Sequence, residues 1–82
     1  VSTAHLQVLR AWRGGGTDGR PGWVVQFRYS EPGVRRLKAL VPAADRQWDD
    51  TAKVWWFADD VLPQVMKVAP ALELYTAQKN LL

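Results

Sequence analysis

The stretch RQWDDTAKVWWFADDVLPQV, Arg46 to Val65, decides how this chain folds. Asp-Asp-Thr near its start is turn chemistry, because short polar side chains bond to nearby backbone amides. DDTAK therefore separates a short strand, RQW, from a second strand, VWWFA, and the segment reads as a hairpin. Strand side chains alternate between the two faces of a sheet. That puts Trp55 and Phe57 on one face and Val54 and Trp56 on the other. Both faces cannot belong to the same core. Beyond the hairpin, Asp59 or Asp60 is the expected N-cap of a helix, VLPQVMKVA, with Pro63 in its first turn and Val61, Leu62, Val65, Met66 and Ala69 inward.

Upstream, WVVQFRYS (Trp23 to Ser30) is the cleanest strand, with Trp23, Val25, Phe27 and Tyr29 facing one way and Val24, Gln26 and Arg28 the other. AHLQVLRAW (Ala4 to Trp12) is its hairpin partner; Leu6, Val8 and Trp12 share a facing against Gln7 and Arg10, although Leu9 and Ala11 blur the alternation. Between them RGGGTDGRPG, Arg13 to Gly22, is expected to be a flexible loop, since five glycines and a proline disfavour a regular element. SEPGVRRLKALVP reads as a helix. Ser30 is its N-cap, Glu31 suits the positive helix start, Pro42 ends it, and Val34, Leu37, Leu40 and Val41 form its apolar face. PALELYTAQKNLL, residues 70–82, is a C-terminal helix or tail with Leu72, Tyr75 and Leu82 near one face; its LELYT portion fits a strand equally well. The order is β-β-α-β-β-α plus a short tail. This is an α+β fold in one domain over residues 1–82, with an antiparallel sheet covered on one face by helices.

A chain of 82 residues buries only about 60 % of the surface its unfolded form exposes. It has no cysteine, so no disulfide staples it. Five Trp, two Tyr and two Phe supply apolar area to a small domain that needs it. The net charge of +3 permits a nucleic-acid or acidic partner without demanding one. The Arg-rich, Ile-free composition is that of a GC-rich genome, bacterial or viral. Apolar runs are too short to span a bilayer, and the first residues lack the order of a signal peptide, so a cytoplasmic protein with no membrane association is expected.

Little here supports catalysis. His5 is the only histidine, and no nucleophile stands beside a base. Asp49–Asp50 and Asp59–Asp60 read as a hairpin turn and a helix cap rather than a cation site. RGGGTDGRPG lacks the Lys and Ser/Thr ending of a phosphate-binding loop, but as a hairpin tip it offers Arg13 and Arg20 to a phosphate backbone. No enzyme activity, cofactor or metal is expected.

The aromatic and basic residues carry more. Trp56 lies on the face opposite Trp55. It is either a base-stacking platform on an open sheet face or part of a minor core under the C-terminal tail.

RQWDDTAKVWWFADDVLPQV also resembles the core signature of the HARP domain, found beside the motor of annealing helicases. In that family an Arg and an aromatic-Asp pair precede a short turn, a Lys, and a Trp-x-Phe pair. Arg46, Trp48, Asp49, Lys53, Trp55 and Phe57 occupy those places. VVQFRYSEPGVRRLKALVP resembles the strand and helix that precede the signature. The likeness runs from about Trp23 to Val68, with the segment from Lys38 to Trp48 longer than the family pattern. These residues hold no ATPase motor, so helicase activity does not carry over. The resemblance implies a β-β-α-β-β-α module that helps recognise DNA at single-strand or junction sites, with Trp55 in its core.

The reading is a non-enzymatic nucleic-acid-binding module, with DNA as partner. Arg28, Arg35, Arg36, Lys38, Arg46 and Lys53 are its phosphate contacts; Trp56 is its stacking platform, joined by Trp12 or Trp23. The alternative is a small protein-interaction or inhibitor protein, such as a phage-encoded factor, with Trp and Arg as interface anchors.

Overall fold

The computed structural model describes residues 5–79. Four antiparallel strands form one sheet: β1 (Val8–Gly15), β2 (Pro21–Phe27), β3 (Arg46–Asp49) and β4 (Val54–Ala58), in the order β1-β2-β4-β3. Helices α1 (Glu31–Leu40), α2 (Leu62–Val68) and α3 (Leu72–Lys79) complete a ββαββα fold. The expected α+β architecture is the observed one.

Local chemistry explains most of these elements. The Ser30 hydroxyl accepts from the Gly33 amide at 3.4 Å, which caps α1, and Val41 closes it by donating to the Leu37 carbonyl. The Asp49 carboxylate accepts from the amides of Thr51 and Ala52 at 2.9 and 3.0 Å, which builds the β3–β4 turn from side chain to backbone. The turn closes through Lys53, which has φ 59 and donates its amide to the Asp49 carbonyl.

Residues opposed across antiparallel strands share a face. One face therefore carries Trp23, Val25, Trp55 and Phe57, and packs with Leu37, Val65, Val68 and Leu72 from the helices into one core. Phe57, Val25 and Leu72 are fully buried there. Trp23 is buried in the same core, which removes it as an exposed platform. This is the helix side of the sheet; the other is the open side.

Three expectations are corrected and one open alternative is decided. A bulge between Val8 and Arg10 shifts the register of β1. Val8 thus shares the helix side with Ala11, and Trp12 moves to the open side, opposite Val24. This is why Leu9 and Ala11 spoil the alternation. Second, the strands run into the glycine cluster, to Gly15 and from Pro21, so only residues 16–20 form the connection. Third, neither Asp59 nor Asp60 caps α2; they begin a 3-10 turn, Asp59–Val61, and Asp59 pairs with Arg13 at 2.7 Å. Of the two readings open for LELYT the helix is the observed one: it lies within α3, and Leu72 packs into the main core rather than covering the open side. Leu82 lies outside the described residues.

Candidate nucleic-acid interface

Trp56 is on the open side, as alternation requires, but it is not an exposed platform: it is 5 % exposed. The first hairpin covers it. Gly14 and Gly22 face each other across β1 and β2 on the open side, and Gly22 faces Ala58. With no side chain at Gly14 or Gly22, the Trp56 indole lies down along the row and donates Nε1–H to the Gly14 carbonyl at 2.9 Å. A Cβ on Gly22 would stand 2.7 Å from Trp56 Nε1, and one on Gly16 would stand 3.0 Å from its six-membered ring. The hairpin tip is held in place by Arg20, which bonds Asp45 at 2.8 Å and the Ala44 carbonyl at 3.2 Å, and lies 5.9 Å from the Trp56 ring. The Asp45 hydrogen bond, more than any other influence, raises the pKa of Arg20 above its ordinary value. The Thr17 amide adds a bond to the Gln47 side chain at 3.0 Å. Arg13 and Arg20, which the glycine-rich segment offers to a phosphate backbone, are thus both engaged with acids of their own chain.

On the open side the exposed ring is Trp12, 42 % exposed and beside Arg10; a larger exposed aromatic surface lies on the helix side at the β3 edge. Trp48 is 48 % exposed and stacks at a tilt on Trp55, with centroids 5.1 Å apart; Trp55 in turn stacks on Phe57 at 6.1 Å. An aromatic ladder thus runs from the core to the surface and ends on Trp48. Tyr29, just past β2, is 78 % exposed. Between these two rings lies a hollow of about 380 Å3, lined by Tyr29, Val34, Lys38, Arg46, Trp48 and Trp55. It continues into a second hollow of about 260 Å3 that adds Phe27 and Lys53.

Each cation there is placed by a different element. Lys38 is in the last turn of α1, one turn beyond Val34. Arg46 starts β3; its Nε–H donates to the Val41 carbonyl at 3.1 Å and its guanidinium lies 6.0 Å from the Trp55 ring. Lys53 is carried by the left-handed turn residue and pairs with Asp50 at 2.9 Å, a largely exposed pair that screening weakens. Among the described residues, no acid lines either hollow.

Of the residues expected to bind, Lys38, Arg46 and Lys53 come together here. Arg28, Arg35 and Arg36 do not line the hollows. Arg28 is exposed beside Tyr29, Arg35 pairs with Glu31 at 2.6 Å on the exposed side of α1, and Arg36 is half-buried. Tyr29 and Trp48 were not expected as rings of the site. The signal for Tyr29 lay in its position one residue before the helix cap, where the chain leaves the sheet. For Trp48 it lay in the shortness of its strand, which places it at an edge.

The fold and this surface define a small α+β domain with an aromatic and basic hollow beside an edge strand. No known protein family, curated protein or solved structure matches the chain. Among the described residues, no helix is long and apolar enough to cross a membrane.

Proposed function

We propose that this domain binds nucleic acid, DNA in single-stranded or junction form, without acting on it chemically. One observation carries the proposal: two exposed rings, Tyr29 and Trp48, flank a hollow whose charged lining is Lys38, Arg46 and, in its extension, Lys53. Unpaired bases present π faces that stack on aromatic side chains, while cations alongside hold the phosphates. Trp48 suits stacking because Trp55 supports it from behind. The likeness of this segment to the HARP signature points the same way, with Trp48 replacing Trp56 as the platform.

The test is a fluorescence titration with single-stranded, duplex and forked oligonucleotides at low salt. Wild-type protein binds the single-stranded or forked form with quenching of Trp emission. Trp48→Ala stays folded and loses about 1–3 kcal/mol of binding, the worth of one stacked base. No binding of any form by wild type, or unchanged affinity in Trp48→Ala, overturns the proposal.

A further inference from the structure

The strand order leaves β3 at one edge of the sheet and β1 at the other. α3 packs beside β1, whereas β3 meets β4 and the short turn that precedes it. An open edge presents unpaired backbone N–H and C=O groups to any extended chain that fits. What fits is decided by the side chains that flank that edge.

The two faces of β3 carry opposite charge. Arg46 and Trp48 face the helix side, where Lys38 and Lys53 stand nearby. Gln47 and Asp49 face the open side. There a wider hollow of about 720 Å3 is lined by Trp12, Val24 and Trp56 and by Asp49 and Asp50, of which Asp50 is paired with Lys53; among the described residues, no cation lines it. Trp48 lines the hollows on both sides.

This separation argues against a second copy of the chain pairing antiparallel at the edge. Antiparallel pairing keeps opposed residues on a common face. A second β3 would add Arg46 to the cationic side and Asp49 to the acidic side, placing like charges together. An added strand of the opposite pattern meets complementary charge on both faces, and its backbone completes the ladder. This is the strand-addition mode of recognition, in which main-chain bonds bind and alternate side chains select.

We propose that β3 accepts an extended segment of another protein as an added strand, with acidic side chains toward Lys38 and Arg46 and basic ones toward Asp49. This surface needs the backbone of β3, which base stacking on Trp48 does not, so it stands or falls apart from the nucleic-acid reading.

The experiment uses the isotopically labelled full chain and three synthetic peptides. One alternates Glu and Lys, one has the same composition with all Glu before all Lys, and one alternates but is N-methylated at every second residue so that it cannot complete the ladder. Amide shifts are followed by NMR during titration. The alternating peptide is expected to shift the amides of Gln47, Trp48 and Asp49 and to bind about tenfold more tightly than either control: a few cross-strand charge pairs account for the gap to the block peptide, and lost ladder hydrogen bonds for the gap to the N-methylated one. In Lys38→Glu, a change on the exposed side of α1 that leaves the β3–β4 turn intact, the preference for alternation over blocks falls. Equal binding of the three peptides, no binding of the alternating one, or shifts that map to β1 instead of β3 overturns the proposal.

Discussion

Replacing Gly22 with Ala tests whether the glycine cluster is a packing surface. In an ordinary strand this change is stabilising, because glycine weakens a strand interior and loses more freedom on folding, by roughly 0.5–1 kcal/mol. Here the expected sign is opposite. A Cβ at Gly22 would overlap the Phe57 carbonyl oxygen and stand 2.7 Å from Trp56 Nε1 and 2.8 Å from the adjoining ring carbon. The carbonyl belongs to β4, the strand that pairs with β2 at this point. The indole cannot move aside without losing its bond to the Gly14 carbonyl, because Gly16 lies against its far side. The strands must therefore separate locally. Overpacking of this kind costs about 1–3 kcal/mol, and the backbone clash puts Gly22→Ala at the upper end. For a domain of this size, 2–3 kcal/mol corresponds to a fall in Tm of roughly 8–24 °C. Urea and thermal unfolding, read by far-UV circular dichroism, measure it. Gly15→Ala is the internal control, since its Cβ would meet only the Arg20 carbonyl at an ordinary 3.7 Å. If Gly22→Ala is as stable as wild type, or if Gly15→Ala is equally damaging, the packing argument is wrong.

Trp56→Ala is expected to cost about 3–5 kcal/mol, the usual range for removing a buried Trp, and urea melts should show a protein at or near global unfolding. A variant that remains stable and loses only oligonucleotide affinity would restore Trp56 as a binding platform. Lys53→Gly should separate stability from binding. It relieves a left-handed conformation that costs a non-glycine residue roughly 1–2 kcal/mol, partly offset by the added freedom of the unfolded chain. A net gain of about 0.5 kcal/mol is expected alongside weaker oligonucleotide binding; lower stability in Lys53→Gly would contradict this.

Local signals made the fold legible. Ser30 and Pro42 bound α1 because capping and proline chemistry act within a few residues. The Asp49 turn reads correctly for the same reason. Alternation placed Trp55, Phe57 and Trp56 on their proper faces. What stayed hidden depends on residues far apart in the chain. The cover over Trp56 comes from Gly14, Gly16 and Gly22, whose lack of side chains resembles loop composition until a ring is seen lying on them. Asp59 looks like a helix cap in isolation, but Arg13, 46 positions away, engages it. The bulge near Leu9 leaves only a blurred alternation, which marks an irregularity without saying that Trp12 changes face. Of the candidate site, the cations Lys38, Arg46 and Lys53 were legible. Their rings were not, because the exposure of Tyr29 and Trp48 is set by where the sheet ends.

The most direct test of the account is the salt dependence of single-stranded DNA binding, compared between wild type and Lys38→Gln/Lys53→Gln. Each phosphate contact contributes a slope of about 0.7 in log affinity against log salt, so the double variant should lose about 1.4 of the wild-type slope while its unfolding curve stays unchanged. An unaltered slope in a folded double variant would show that these lysines touch no phosphate, and would contradict the assignment of the hollow between Tyr29 and Trp48 as the binding site.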